Sequence, residues 1–173
     1  MRSRTSFVSL ALVALLLAGG AGTALAQGAA TIIPEVVAEN GMVASAHPLA
    51  SQVGLEILKA GGNAVDAAVA TAFANGVVEP NANGLGGEGY VVIYMKGDDL
   101  VTSIDYRSRA SFNKPAAGET WPSAGHRGVA VPGTVAGLAL ALERYGTMSL
   151  ARVIGPAARL AEEGFVISPT LAG

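Results

Sequence analysis

A chain of 173 residues with a net charge of −2 and no cysteine is long enough for one domain with a real core and short for two, since domains commonly hold about 100–150 residues. Its 11 Lys and Arg are scattered, so no basic stripe marks it for nucleic acid or for an anionic membrane surface. Without cysteine, a disulfide framework and a lipid-anchored Cys are both excluded.

The first 26 residues read as an export signal. "MRSR" supplies a positive start, an apolar run follows, and Ala24-Leu25-Ala26 forms a small-x-small site before Gln27. The unbroken apolar stretch from Phe7 to Leu17 is shorter than the roughly 20 residues of a membrane-spanning helix, which argues against an anchor. The mature protein is therefore expected to be periplasmic or secreted, with no membrane association after cleavage. Residues 27–40 form a polar lead, expected to be mobile, and residues 41–173 carry the fold.

"GMVASA", 41–46, reads as a short strand. "HPLASQVGLEILKAGGN" reads as a helix, with Pro48 in its first turn, Leu49, Val53 and Ile57 on one stripe, and Gly61-Gly62 at its end. In "NAVDAAVATAFANGVVEP", Asn63 is a candidate N-cap and Asp66 places a carboxylate in the first turn, where the helix dipole favours it. The body from Ala67 to Ala74 is small and almost wholly apolar, which predicts a buried helix that neighbours approach closely.

Val91–Tyr94 and Leu100–Tyr106 are rich in strand formers and flank the turn cluster Gly97-Asp98-Asp99, a β-hairpin pattern. Residues 111–128 lack a period and read as an exposed loop. A third helix is expected from Thr134, as cap, to Tyr145-Gly146. A fourth runs from the cap Ser149 to Gly164, with Pro156 expected to break or kink it. At Ser168-Pro169 a new element begins just before the chain closes, the pattern of a fragment.

Gly84, Gly86 and Gly89 in "NGLGGEGYVVIY" have the spacing G-x-G-x-x-G. A dinucleotide loop needs a strand before the glycines and a helix after them. Here the order is helix, loop, strand, so the glycines are read as a tight crossover serving close packing. His47 and His126 lack metal-ligand spacing and read as helix-start or surface residues. Ser45, Ser51, Thr71, Ser103 and Ser108 have no companion base, and the carboxylate pairs Asp98-Asp99 and Glu162-Glu163 suit solvated turns and helix ends. Arg107, in "DYRSRA", shares a strand face with Asp105 by the period of two. It is either half of a surface Asp–Arg pair or an arginine presented to a carboxylate ligand.

"NGMVASAHPLASQVGLEILKAGGNAVDAAVA", "GLGGEGY", "IDYR", "VAVPGTVAGLALALERYGTMSL" and "PAARLAEEGF" together resemble the N-terminal part of a γ-glutamyltransferase large subunit, from Gly41 to Phe165. That resemblance implies an α+β chain that supplies part of an αββα N-terminal-nucleophile hydrolase fold. It also implies a precursor that cleaves itself and a small-subunit Thr that carries the γ-glutamyl group of glutathione or a related amide to water, an amino acid or a peptide. No metal or organic cofactor is expected, and the partners implied are the γ-glutamyl compound, the rest of the large subunit and the small subunit. Arg107 matches the arginine of the family's D-[FY]-R-E motif, which grips the substrate α-carboxylate, so the resemblance implies Arg107 as the substrate-binding residue expected of this chain. The nucleophile, oxyanion glycines and amine-binding acid fall beyond Gly173 in the family, so no catalytic residue is assigned here and this chain alone is expected to be inactive. Two positions depart from the pattern: Ser108, followed by Arg109, stands where the motif has Glu, and Glu88 stands where typical members have Gly. An acylase-like relative acting on a different amide, or a non-catalytic exported binding or assembly protein, are the alternatives.

Overall fold

The computed structural model describes residues 35–112 and 115–172, and its helices begin at capping residues. The expected export signal and the lead up to residue 34 lie outside the described residues. Residues 35–37 group with that preceding segment and have no helix or strand, and the elements below all belong to the unit 38–173.

Helix α1, Pro48–Lys59, follows an extended His47 whose Nδ1 accepts the Leu49 amide at 3.2 Å. Beyond its C-cap Ala60, Gly61 turns the chain at φ +89°, a conformation that glycine adopts without strain. Helix α2, Ala64–Val78, starts in a capping box. Asn63 Oδ1 accepts from the Val65 and Asp66 amides, and Asp66 Oδ2 accepts from the Asn63 amide at 2.8 Å. Helix α3 spans Thr134–Tyr145 and helix α4 Leu150–Glu163, with Ser149 as the α4 cap and Gly164 at its end. A single turn, α5, covers Pro169–Ala172 behind Ser168, whose Oγ accepts the Leu171 amide at 3.2 Å.

Strands β1, Tyr90–Met95, and β2, Leu100–Asp105, pair antiparallel with Tyr90 opposite Asp105 and Met95 opposite Leu100. Between the hairpin and α3 the described residues form a 3₁₀ turn at His126–Gly128 and an isolated bridge between Arg109 and Val131, and are otherwise irregular. The expected α+β composition is what the chain adopts.

Helix α2 is the centre of the unit and packs against α1, α3 and α4. Its small residues let these neighbours close in. At Gly54 of α1 a Cβ would lie 2.8 Å from Val43 and collide with the Thr71 hydroxyl of α2. The core joins Val53 and Ile57 of α1, Val69 and Phe73 of α2, Leu138 and Leu142 of α3, Val153 of α4, and Ile93 and Ile104 of the hairpin. A second device ties the helices. Asp66, fully buried, accepts hydrogen bonds from the Thr147 amide at 2.9 Å, the Thr147 hydroxyl at 2.6 Å and the Met148 amide at 3.1 Å, while Asn63 Nδ2 donates to the Tyr145 carbonyl at 2.6 Å. The α2 N-terminus is thereby locked to the α3–α4 connection.

Three local expectations are corrected. Residues 41–45 are neither helix nor strand, because β1 and β2 pair with each other and no further strand is described to supply a ladder. Helix α3 is capped by Gly133, with Thr134 as its first residue. The Gly133 and Thr134 amides turn instead to the Gly87 carbonyl. Of the break or kink expected at Pro156, the break does not occur, because α4 runs through it. It removes one amide from the ladder, and Val153 and Ala157, buried on either side of it, hold the helix to the core.

Candidate functional site

The hairpin sorts its side chains by parity. Val91, Ile93 and Met95 turn toward the helices with Leu100, Thr102 and Ile104, whereas Tyr90, Val92 and Tyr94 stand on the opposite face with Val101, Ser103 and Asp105. Pairing continues past the strand ends, since the Tyr106 amide donates to the Gly89 carbonyl at 3.0 Å. One place further, that register sets Glu88 opposite Arg107 on the outer face.

There the two side chains meet. Arg107 Nη2 lies 3.2 Å from Glu88 Oε1, and its guanidinium carbon stands 5.9 Å from the centre of the Tyr90 ring. The other Glu88 oxygen accepts the Ser108 amide at 2.7 Å and also the Ser108 hydroxyl. These Ser108 donors, and then Arg107, hold the Glu88 carboxyl below the usual carboxylate range. Tyr90 and then Glu88 raise the already high value of Arg107, which stays charged. The Arg107 side chain is 57% exposed and that of Glu88 38%, so the cation remains open to a ligand.

The Asp105–Arg107 side-chain pair is not what forms. Asp105 Oδ1 accepts the Arg107 main-chain amide at 2.9 Å, an Asx-type turn that shapes the strand end and leaves the guanidinium to Glu88. Beneath this turn lies the start of α3. Arg109 and Val131 exchange main-chain hydrogen bonds at 3.1 and 2.8 Å. A Cβ on Gly133 would collide with the Tyr106 carbonyl, and one on Gly137 with the Tyr106 side chain. The glycines of "PGTVAG" thus let the Tyr106–Arg107 backbone lie directly on the helix. A cleft of about 260 Å³ opens beside it, lined by Arg107, Arg109, Pro132, Ala136, Gly137 and Leu140 among others.

The Gly-rich loop is anchored at its start by Asn83, whose Nδ2 donates to the Ala72 carbonyl of α2 at 3.2 Å. Of the three glycines at dinucleotide spacing, close packing holds for Gly89 alone, where a Cβ would fall 2.7 Å from the Tyr106 hydroxyl. Gly84 and Gly86 have open space around them among the described residues. The tight neighbour is Gly87, outside that spacing, whose carbonyl receives the α3 amides.

The remaining candidates take structural places. His47 caps α1, with its ring nearly perpendicular to that of Phe165 and 6.2 Å from it between centres, and His126 lies in the 3₁₀ turn. Asp99 forms the hairpin turn at φ +48°. Ser45 and Ser51 hydrogen-bond each other, and the Thr71 hydroxyl donates to the Ala67 carbonyl. Among the described residues no three His, Cys, Asp or Glu gather as metal ligands.

A layer of helices under a β-hairpin is the architecture that this chain shares with solved enzymes of the N-terminal-nucleophile hydrolase class. The profile of one family, gamma-glutamyltranspeptidase, matches residues 50–173, and the chain belongs to that family. It is 44% identical over 148 residues to the glutathione hydrolase proenzyme of Escherichia coli, an overlap of 79% of this chain and 25% of the relative. Among solved structures it is similar to the gamma-glutamyltranspeptidase of Helicobacter pylori (39% identical, TM-score 0.72, covering 80% of this chain and 42% of that one). It is similar also to the cephalosporin acylase of Bacillus halodurans (41% identical, TM-score 0.74, covering 84% and 28%). The chain spans about a quarter of the length of the curated relatives it matches.

Sequence reasoning singled out Arg107 and missed its partner. Glu88 and Ser108, the two positions expected to depart from the family motif, are in direct contact. The signal that joins them is the hairpin register, which follows once the turn at Gly97–Asp99 is taken as the centre of the pairing.

Proposed function

We propose that this chain is the N-terminal part of the large subunit of an exported, self-processing γ-glutamyltransferase and glutathione hydrolase, and that Arg107 binds the α-carboxylate of the γ-glutamyl group. In this reading a Thr hydroxyl supplied outside this chain attacks the γ-carbonyl, the amide C–N bond breaks, and the amine leaves with a proton. Water or an amino acid then takes the acyl group and frees the Thr. The chain itself contributes binding and orientation and no nucleophile, so it is inactive alone. The expected export signal supports a location in the periplasm or outside the cell.

The observation that carries the reading is the open Arg107 guanidinium at the end of the hairpin, on a backbone braced by Gly89, Val131 and the start of α3. A planar fork held in this way suits a carboxylate. In the full-length enzyme Arg107→Ala is expected to lower kcat/KM for a γ-glutamyl anilide about 10- to 100-fold, the worth of one or two hydrogen bonds to a charged group. Unchanged kinetics would remove Arg107 from the site.

A second reading, an acylase acting on a different amide, draws support from the similarity to the cephalosporin acylase and from Glu88, which already partners the cation. It predicts better turnover of acyl groups that lack the α-amino acid head.

A further inference from the structure

Glu88 places a carboxylate directly against the Arg107 cation. Three donors from two consecutive residues converge on it: Arg107 Nη2 on one oxygen, and the Ser108 amide and hydroxyl on the other. The contact is cross-strand, so the Gly-rich loop and the segment after β2 are cross-linked at the point where Arg107 emerges. Tyr90, beneath the guanidinium, limits its tilt, while Glu88 limits its rotation. An arginine this exposed otherwise samples many rotamers, and a ligand must then order it on binding.

We propose that Glu88 is a positioning residue for substrate binding: together with Ser108 it fixes the Arg107 guanidinium before the ligand arrives, leaving the uncommitted edge of the fork to receive a carboxylate. This rests on the reading of Arg107 as the carboxylate ligand. Five N–H donors stand on a guanidinium, and the Glu88 contact uses Nη2, so a carboxylate and Glu88 share the cation without displacement. The specificity that follows is for acyl groups with a free carboxylate that meets the fork edge-on. The opposite role is also physically defined. If Glu88 were chiefly a competing counter-ion, neutralising it would tighten binding.

The test uses the full-length enzyme and two substrates, a γ-glutamyl anilide and the 4-aminobutyryl anilide that lacks the α-carboxylate, each followed as substrate or as competitive inhibitor. Glu88→Gln is expected to raise KM for the γ-glutamyl anilide about five- to tenfold, the scale of a partly exposed charge-assisted contact, with kcat held within about twofold. Binding of the 4-aminobutyryl compound is expected to stay unchanged. Glu88→Asp should recover part of the loss, and Ser108→Ala, which removes the hydroxyl and keeps the amide, should give a smaller rise of about two- to threefold. A KM that falls or does not move in Glu88→Gln overturns the positioning role, as does an equal rise for both compounds. Arg107→Ala measured alongside separates the two failures. If the wild type does not prefer the carboxylate-bearing compound, or Arg107→Ala keeps that preference, the reading of Arg107 fails and takes this inference with it. If the preference depends on Arg107 and the Glu88 and Ser108 variants match the wild type, the positioning role alone is wrong.

Discussion

Tyr106 shows how much a single residue must fit. Its amide pairs with Gly89, its ring fills the space that side chains at Gly89 and Gly137 would take, and its carbonyl lies against Gly133. Burial pushes its phenol up, so it stays neutral. Gly137→Ala therefore drives a methyl into the Tyr106 side chain, and a loss of about 1–3 kcal/mol is expected, as for overpacked cores. A melting temperature equal to the wild type would show that Tyr106 has room to move. Next to it, Arg107→Lys keeps the charge and loses the planar fork. Weaker binding of γ-glutamyl substrates is expected, in the range of Arg107→Ala, because a point charge does not match a carboxylate along two parallel bonds. Kinetics equal to the wild type would show that charge alone suffices.

Among the elements, α2 depends on Asp66. Burial alone would raise the Asp66 carboxyl, but hydrogen bonds from the Thr147 side chain and from the Asn63, Thr147 and Met148 amides outweigh it and hold the group below its ordinary value of 3.8. A carboxyl with a lowered folded value stabilises the fold fully above the unfolded value, and this stability is lost as pH falls through the folded one. Asp66→Asn is expected to cost about 2–4 kcal/mol at pH 7, since it replaces a charged acceptor of four donors. The gap between the two proteins should close as pH falls below 3.8. Denaturant melts at pH 7 and pH 3 check both parts, and a gap that is constant with pH would contradict the account.

Most of this scale was legible in the sequence. Asn63 with Asp66, Ser149 and the terminal glycines are local signals, and the helix ends they predict formed. What failed was non-local. Residues 41–46 carry strand-forming residues, but no strand among the described residues lies beside them to pair with, and the Gly87 carbonyl that takes the Gly133 and Thr134 amides is 46 residues and more away in sequence. Pro156 was judged by its missing amide, while tertiary packing of Val153 and Ala157 decided the outcome. The site followed the same division. Arg107 stood in a recognisable motif, whereas its contact with Glu88, 19 residues away, became visible only with the register.

In the whole molecule, the helices cover one face of the hairpin and leave Tyr90, Val92, Tyr94 and Val101 between 59% and 74% exposed on the other. Arg107 and Glu88 lie at the end of that same apolar face. A patch of this kind is expected to make residues 27–173, expressed alone, self-associate. Val92→Lys with Val101→Lys should shift that protein toward monomer in sedimentation, and a wild-type chain that is already monomeric at high concentration would refute the expectation. The central claim, that the hairpin presents Arg107 to the α-carboxylate of a γ-glutamyl group, is tested most directly by a cycle that removes the arginine from the enzyme and the carboxylate from the substrate, separately and together. The measurement is kcat/KM of wild type and Arg107→Ala in the full-length enzyme for the γ-glutamyl and 4-aminobutyryl anilides. The account predicts that deleting the carboxylate costs the wild type about 10- to 100-fold and the variant almost nothing. An equal loss in both would contradict it.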